Sequence, residues 1–282
     1  MTAPAGRRTL TPMATLRFGL SRSHAGGDLD ESAALFAAAL GDRVGRRVAV
    51  TITPDYERLL DGVIMGGISV AWMPPLVHAR AAAKGAPLAC VSRRGGALTY
   101  RAALLVRAES DFDSVADLRG VRVAWADPYS ASGSLFPQLH LQAAGIDPRY
   151  EFASEHYYGS VARACRAVAA GEADLCAHYI SDAASVDHLM AHLELRRTLG
   201  ETTARALRVL DVTDAIPPDG MVLAPPLAGL LQATLRDALL GMHQQHDGAV
   251  ALETLTQAER LMPVTGDVVR IINRLQAQDM QR

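Results

Sequence analysis

The chain has 282 residues, of which 49% are hydrophobic, 21% are charged and 5% are aromatic, and its formal net charge at pH 7 is -2. This length allows two modest domains, and the composition is typical of a globular protein whose core is built mainly from Ala, Leu and Val. The near-neutral charge argues against a nucleic-acid-binding protein, because the arginine pairs at 7–8, 46–47, 93–94 and 196–197 are isolated and are interpreted as solvated surface.

The N-terminal residues 1–16 (MTAPAGRRTLTPMATL) contain two arginines but no apolar run of the length that a secretory signal needs. Elsewhere no stretch approaches the ~20 apolar residues of a membrane span. We therefore expect the chain as written to be cytoplasmic, and to be periplasmic if the native N-terminus is longer.

In the first part of the chain, short β-rich runs alternate with helical runs, a pattern that predicts an α/β fold with helices packed on mostly parallel sheets. The predicted strands lie at 16–20, 48–53, 69–73, 88–93 and 100–108. The predicted helices lie at 30–40, 55–65 and 75–84.

A second series of the same kind begins near Asp117 and ends with three amphipathic helical stretches after residue 225. Its predicted strands lie at 121–126, 151–157, 173–179, 207–213 and 221–225, and its predicted helices at 132–144, 160–170 and 182–193. Because the alternation restarts after the strands near 100–108 and 207–213, we predict two lobes joined by two crossings. The first lobe is expected at 14–104 plus 210–282, and the second at 105–209.

Cysteines and histidines give no sign of a metal or cofactor. The three cysteines, Cys90, Cys165 and Cys176, lack metal-type spacing; a Cys165–Cys176 bridge is conceivable, but buried free thiols are favoured. His188 and His192 have metal-compatible spacing on a predicted helix but no third ligand, so they are interpreted as surface residues. The sequence also lacks a P-loop, a complete G-x-G-x-x-G and a G-x-S-x-G elbow. We predict neither a metal site nor a cofactor.

The most specific local signal is the segment 121–146, VRVAWADPYSASGSLFPQLHLQAAGI. An apolar strand ends at Ala126, an Asp-Pro turn follows, and Ser130, Ala131, Ser132 and Gly133 lead into a helix. Small residues at a helix start leave backbone N–H groups free, and the helix dipole there favours negative charge, so the loop is a candidate oxyanion site. The alternative is that Ser130 or Ser132 only caps the helix.

This segment resembles the phosphate, phosphite and phosphonate substrate-binding proteins of ABC transporters, the PhnD-like family with the type II periplasmic-binding-protein fold. In that family a strand ending in V-A-x-x-D-P is followed by a Ser-Thr-Ser-Gly-like loop, and then by a helix with an aromatic-proline pair and AGI-D-P. The same pieces stand here at 123–124, 127–128, 130–133, 136–137 and 144–148.

The resemblance extends from about Leu16 to about Met242 and implies further ligand contacts. Tyr56 in TPDYERLLDGV and Tyr100 look like the family's two tyrosines, and Asp219 in IPPDGMVL takes its acidic position. Trp72 closes its strand and is explained equally well by packing. The full set of candidate ligand contacts is Tyr56, Trp72, Tyr100, Ser130, Ala131, Ser132, Gly133, His178, Tyr179 and Asp219.

Two departures from the family pattern bear on the ligand. Ala131 stands where a threonine is common, which removes one hydroxyl donor. The stretch 177–182 lacks the glutamate that aminoalkylphosphonate binders are thought to direct at an amine. The ligand is therefore expected not to be a close copy of aminoethylphosphonate.

The resemblance implies a solute-binding component of an ABC transporter, whose two lobes close by a hinge on a small oxyanion. The serine loop and its amides would hold the oxygens, Tyr56 and Tyr100 would donate from the first lobe, and Asp219 would accept from a singly protonated oxyanion. No turnover is expected, because the set offers donors and a lone carboxylate but no nucleophile–base pair. The alternative is a cytoplasmic sensor with a signalling partner, or a biosynthetic enzyme on the same fold, since fold alone does not decide function.

Overall fold

The structure is a computed structural model that describes residues 15–24, 29–94, 96–266, 268–270 and 273. Within these residues the named strands form two separate sheets, so the prediction of a two-lobed α/β architecture rather than one continuous sheet is confirmed. Residues 1–14, on which the expected localisation rests, lie outside the described residues.

The strands and helices follow the predicted alternation through most of the chain. The strands are β1 (Leu16–Ser21), β2 (Val48–Thr53), β3 (Val70–Met73), β4 (Leu88–Arg93), β5 (Arg101–Arg107), β6 (Arg122–Trp125), β7 (Ser154–Tyr157), β8 (Leu175–Ile180), β9 (Leu207–Val212), β10 (Gly220–Leu223) and β11 (Arg260–Pro263). The helices are α1 (Leu29–Val44), α2 (Tyr56–Ile64), α3 (Pro75–Ala83), α4 (Phe136–Ala143), α5 (Pro148–Glu151), α6 (Val161–Ala169), α7 (His188–Leu199), α8 (Glu201–Arg205), α9 (Gly229–Leu240) and α10 (His246–Thr256).

The first sheet has the strand order β11-β4-β10-β3-β1-β2, and we call it, with the helices packed on it, the first lobe. Strands β2, β1 and β3 run parallel, whereas β10 is antiparallel to both β3 and β4. Helices α1, α9 and α10 cover one face, and α2 and α3 cover the other. A strand that is buried on both faces needs a continuous apolar run, and β3, with the sequence VAWM, supplies one.

The second sheet has the strand order β7-β6-β8-β5-β9, and with its helices it forms the second lobe. Strand β6 is parallel to β7 and β8, and β5 is antiparallel to β8 and β9. Helices α6, α7 and α8 pack on one face, and Leu141 of α4 packs on the other. The central strand β5 is again apolar in sequence (RAALLVR), with its five inner residues buried between these layers.

The chain crosses between the lobes twice, at 94–100 and at 213–219. The two crossings pair with each other through Tyr100 and Ile216, whose backbones exchange N–H···O bonds of 3.2 and 2.6 Å. The strands on either side, β5 and β9, both belong to the second sheet. The predicted lobe boundaries at 104 and 210 fall inside these strands, and the exact division into lobes stays a prediction.

Three local predictions differ from the structure. Residues 131–135 form a π-helical turn before α4 rather than regular helix. The helix expected at 182–193 begins only at His188, because the Asp187 side chain accepts from the N–H groups of Leu189 and Met190 and caps it. Strand β11 was expected to be helical; α10 ends at Thr256, its C-cap Gln257 has a left-handed φ of 55°, and residues 260–263 pair with the edge of β4.

The cysteines lie in the cores. Cys165 on α6 and Cys176 on β8 have their Sγ atoms 3.6 Å apart in the second lobe, and Cys90 is buried in the first. All three are free thiols, and burial raises the pKa of Cys176 well above its ordinary value. Among the described residues, no helix is long and apolar enough to cross a bilayer.

Candidate ligand-binding site

A cavity of about 250 Å³ lies between the two lobes. Eight of the ten predicted contacts line it, and they come from both lobes and from both crossings. These eight are Tyr56, Tyr100, Ser130, Ala131, Ser132, His178, Tyr179 and Asp219. The structure therefore brings together residues that are separated by up to 163 positions in the sequence (219 minus 56).

The serine loop is folded by its own short-range hydrogen bonds. Ser130 is the N-cap of the π-helical turn, and its Oγ accepts from the Gly133 N–H at 3.2 Å. The Ser134 hydroxyl donates to the Asp127 carbonyl and, at 3.0 Å, to the Ser130 carbonyl. The N–H of Leu135 reaches back five residues to the Ser130 carbonyl at 2.9 Å, which makes the turn a π-turn. Ser130, and not Ser132, is thus the capping residue.

Ser132 lines the cavity and takes no part in the hydrogen bonds that fold the loop. Its hydroxyl and backbone N–H, like the backbone N–H of Ala131, have no hydrogen-bond partner among the described residues. They occupy the first positions of a helical turn, where backbone N–H groups have no intrahelical acceptor. Three donors of residues that line the cavity are therefore not used by the loop's internal network.

Two predicted contacts do not line the cavity. Gly133 packs so closely that a Cβ would lie 2.5 Å from the Ala126 Cβ and 2.7 Å from the Ser130 Oγ, so glycine is required by packing. Trp72 is fully buried in the first lobe's core, and its ring centroid lies 5.8 Å from the Arg94 guanidinium. Both residues support the site from behind its wall.

The start of helix α6 forms another part of the cavity wall on the side of the second lobe. Helix α6 starts at the cavity with Val161 and Ala162, and its N-cap Ser160 accepts from the Arg163 N–H at 3.3 Å. This segment is absent from the predicted contacts, although small residues at a predicted helix start are the same signal as in the serine loop. Two helical N-termini of the second lobe therefore converge on the cavity, and their dipoles favour negative charge there.

Arg94 is the main feature that the sequence analysis missed, because it was grouped with Arg93 as solvated surface. Its side chain is 11% exposed and lines the cavity. Its Nη2 donates to Asp219 Oδ2 at 2.7 Å, and its Nε donates to the Thr256 carbonyl at the end of α10 at 2.9 Å. The sequence signal that could have identified Arg94 is its position directly after β4, at the start of a crossing. Ligands of open α/β sheets bind beyond the carboxyl ends of the strands.

Aromatic rings surround the Arg94 guanidinium. Its central carbon lies 5.4 Å from the Tyr100 ring centroid and 5.2 Å from that of Tyr179. Such distances allow cation–π attraction. Burial alone would lower the pKa of Arg94, but Asp219 and these tyrosines hold the pKa above its ordinary value. The cation is therefore permanent.

Asp219 is already engaged on both oxygens. Oδ2 accepts from Arg94, and Oδ1 accepts from the Tyr100 hydroxyl at 3.2 Å. The backbone of Asp219 is also held in place, because its backbone carbonyl accepts from the Ser92 N–H at 2.9 Å. Burial raises the pKa of Tyr100 well above its ordinary value, and the Asp219 charge raises it further, so Tyr100 stays a neutral donor.

The remaining candidates have defined roles as neutral groups. Asp55 caps α2 by accepting from the Arg58 N–H at 2.8 Å, which places Tyr56 in the first turn facing the cavity. Burial raises the pKa of Tyr56 well above its ordinary value. His178 bonds the Tyr179 carbonyl through Nδ1 at 2.5 Å and the Thr198 hydroxyl through Nε2 at 2.9 Å. Burial lowers the pKa of His178 to about 4, so the ring is neutral near pH 7.

Contacts at the rim of the cavity join the lobes directly. The Ser23 hydroxyl of the first lobe donates to Asp127 of the second at 2.7 Å. The Tyr129 hydroxyl donates to Glu57, and the same ring lies 4.6 Å from the Arg80 guanidinium. On another side, Arg197 of α7 lies 3.8 Å from Glu253 of α10. The cleft is thus described in an arrangement in which both lobes touch.

Comparison with known sequences gives one family match over most of the chain. The model of a family described as "ABC transporter, phosphonate, periplasmic substrate-binding protein" matches residues 18–268. The phosphate-import protein PhnD of Mycolicibacterium smegmatis is 30% identical over 112 residues, which are 38% of this chain. The match spans about a third (35%) of that relative's length.

Comparison with solved structures identifies the same fold. A binding protein component of an ABC phosphonate transporter from Pseudomonas aeruginosa superposes with a TM-score of 0.79 at 21% identity, covering 93% of this chain and 85% of that one. PhnD1 of Prochlorococcus marinus, solved with methylphosphonate, superposes with a TM-score of 0.75 at 16% identity, covering 95% and 99%. At these identities the likeness establishes a type II periplasmic-binding-protein fold.

Proposed function

Because the chain belongs to the family of periplasmic substrate-binding proteins of phosphonate ABC transporters, we propose that it binds a small oxyanion of the phosphate, phosphite or phosphonate type between its lobes. The observation that carries this proposal is the set of three unpartnered donors at the cavity wall, the Ser132 hydroxyl and the backbone N–H groups of Ala131 and Ser132. Backbone and hydroxyl donors at a helical N-terminus match the oxygens of a tetrahedral anion.

The ligand is proposed to contact both lobes. Tyr56 lines the cavity from the first lobe, and Tyr100, whose hydroxyl donates to Asp219, lines it from a crossing, so both residues can contact the anion across from the serine loop. Such two-sided contact favours the closed arrangement over an open one, since a ligand shifts an equilibrium only through its differential affinity for the two states. The proposed role is delivery of the closed, loaded protein to an ABC permease.

No covalent chemistry on the ligand is proposed. Both ring nitrogens of His178 have partners, and Asp219 is paired with Arg94. Asp127 accepts from Ser23 and from the Tyr129 N–H. These contacts are accounted for as bonds that hold the site and the two lobes together, and the family match is to a substrate-binding protein rather than to an enzyme. An assay in which a bound oxyanion is consumed would overturn this part of the proposal.

The compartment is part of the proposal as well. The family is periplasmic by its description, and a permease partner requires the loaded protein on that side of the membrane. Cell fractionation and co-purification with membrane components decide the matter. Recovery from the cytoplasm with a soluble partner would instead favour the sensor role on the same fold.

The binding proposal is tested by a thermal-shift screen with phosphate, phosphite, methylphosphonate, sulfate and small carboxylates. A ligand that binds only the folded protein adds about 2.7 kcal/mol to the free energy of unfolding at 100 times its Kd. We expect a rise in melting temperature with at least one phosphorus oxyanion, and a Kd confirmed by calorimetry. The absence of any shift with all of these anions, over a range of pH, would refute the proposed function.

A further inference from the structure

The Arg94–Asp219 pair changes what the acidic position of this site can do. A carboxylate with a free oxygen in a binding cleft accepts from a ligand hydroxyl, and so favours a protonated oxyanion. Here Asp219 Oδ2 accepts from Arg94 at 2.7 Å and Oδ1 from Tyr100 at 3.2 Å. Its side chain is only 6% exposed. Two of its roughly four acceptor sites are therefore taken and its charge is compensated by Arg94, so Asp219 is a weaker acceptor for a ligand hydroxyl than a free carboxylate would be.

The same pair supplies donors in place of the acceptor. A guanidinium carries five N–H groups, of which two bond Asp219 and the Thr256 carbonyl. The other three have no hydrogen-bond partner among the described residues, and Arg94 lines the cavity. The charge of Arg94 cancels that of Asp219, so a second negative charge on the ligand meets no uncompensated carboxylate at this wall.

From this arrangement we infer that Arg94 makes the cleft selective for a fully ionised oxyanion, a dianion without an O–H group, over its singly protonated form. The inference rests on the proposed function, because it concerns the same cavity. It assigns to Arg94 a specificity-determining role, and it narrows the substrate class to phosphonate or phosphite dianions and other proton-free dianions.

The charged and titratable groups that surround the pair leave the ligand as the titrating species. From α2, β8 and the crossing, Tyr56, Tyr179 and Tyr100 have raised pKa values and stay neutral. From α3 and β8, burial lowers the pKa values of His78 and His178 to about 4. Three further charged residues near the pair each have a partner. Asp127 accepts from Ser23 and from the Tyr129 N–H. On α7, Arg197 lies near Glu253, and Glu194 accepts from Ser181.

The experiment measures Kd by calorimetry from pH 6 to pH 8.5 with two probes. Methylphosphonate loses its second proton in this range, whereas sulfate is proton-free and doubly charged throughout. If only the dianion binds, the apparent Kd for methylphosphonate falls about tenfold for each unit by which the pH is raised, as long as the pH is below the ligand's second pKa. The reason is that the fraction of ligand in the dianionic form grows by that factor. Sulfate should bind with a Kd that stays flat. A methylphosphonate Kd that rises with pH, or no sulfate binding where methylphosphonate binds, would overturn the inference.

Variants locate the effect at Arg94. Arg94→Gln frees the Asp219 carboxylate, so we expect the methylphosphonate Kd to rise with pH and sulfate binding to weaken at least about tenfold. Arg94→Lys and Asp219→Asn keep the cation, and both should retain the parent's pH trend. The matched control is Arg93→Gln, because Arg93 is the adjacent arginine, pairs with Glu259 at 3.1 Å and does not line the cavity.

The outcomes separate the two proposals. If Arg94→Gln does not fold, Asp219→Asn still decides the inference, since loss of the parent's trend there would mean that the carboxylate itself reads the ligand's proton. Binding that prefers the protonated form in the parent sinks the inference and leaves the proposed function intact. Absence of binding by either probe at every pH counts against the proposed function itself.

Discussion

The Ser130–Gly133 loop and the Arg94–Asp219 pair face the same cavity, but they are built differently. The loop offers neutral donors, and its geometry is set by hydrogen bonds among residues that are close in sequence. The pair joins a buried cation to a buried anion 125 positions apart, at the start of one crossing and the end of the other. The geometry of the loop is therefore set locally, whereas the pair joins two distant parts of the chain at the cavity.

The difference predicts which changes disturb the fold and which disturb only binding. Removing one partner of a buried ion pair leaves the other charge uncompensated, a large penalty. Removing a cavity donor that bonds nothing in the protein leaves the fold as it was.

The largest effect is expected from Asp219→Ala. The change leaves Arg94 buried without its anion and removes the acceptor of the Tyr100 hydroxyl. We expect the free energy of unfolding to fall by about 3 kcal/mol, as for other broken buried pairs. Urea denaturation measures the loss, and the isosteric Asp219→Asn serves as the milder control. A loss below about 1 kcal/mol would show that water in the cavity already solvates the pair.

Two buried histidines, one in each lobe, predict a loss of stability in acid. Burial lowers the pKa values of His78 and His178 from 6.5 to about 4, so between these pH values the unfolded chain binds protons that the folded chain does not. Stability is therefore full above about pH 6.5 and falls as the pH is lowered toward 4. Urea midpoints measured from pH 7.5 to 4 check this.

The two histidines differ in their partners, which sharpens the test. His178 has partners on both nitrogens, whereas His78 bonds the Pro218 carbonyl through Nε2 and leaves its buried Nδ1 unpartnered among the described residues. Replacing either residue with Asn should make stability less dependent on pH. An unchanged slope in both variants would mean that other groups cause the acid loss.

Ser132→Ala and Ser130→Ala should have opposite consequences. The Ser132 hydroxyl bonds nothing among the described residues, so its loss should leave the melting temperature nearly unchanged and weaken oxyanion binding about ten- to a hundredfold, the worth of a bond to a charged group. Ser130 caps the turn, so its loss should lower stability by about 1 kcal/mol. Equal effects of the two changes on both measurements would contradict the assignment of cap and donor.

The comparison also explains how far the sequence could predict the site. The loop was found because its residues are contiguous, and a strand, a turn and a helix start can be read from one short segment. Which serine is the cap could not be read, because the choice depends on a π-turn that closes at Leu135. Arg94 was misassigned because its burial depends on β4, α10 and Asp219 meeting, and sequence spacing contains no such distance.

The same reasoning applies to the elements. Strands β3 and β5 were predicted because both faces of each are covered, so that all of β3 and the five inner residues of β5 are apolar. Strand β11 was missed because a short edge strand is specified by its neighbour β4 rather than by its own pattern. Local structure was thus predictable, and structure that depends on a distant partner was not.

The smallest effects are expected from the two tyrosines, which are neutral like the donors of the loop and buried like the Arg94–Asp219 pair. Each is buried and neutral, with a pKa raised well above its ordinary value first by burial. Tyr100 donates to Asp219 at 3.2 Å, a long bond beside the shorter one from Arg94. Tyr100→Phe removes this long bond to a carboxylate that Arg94 already compensates, and the bond is therefore worth about 1 kcal/mol, so we expect roughly a fivefold weaker Kd and a slightly lower melting temperature. Tyr56→Phe should weaken binding by a similar factor.

A double-mutant cycle with Asp219 shows whether Tyr100 acts on the ligand directly or through Asp219. If Tyr100 acts through Asp219, its effect on binding disappears in the Asp219→Asn background, since coupled residues are not additive in a double-mutant cycle. Should Tyr56→Phe, Tyr100→Phe and Ser132→Ala all bind oxyanions like the parent, the cavity between the lobes is not the binding site, whatever the melting temperatures show.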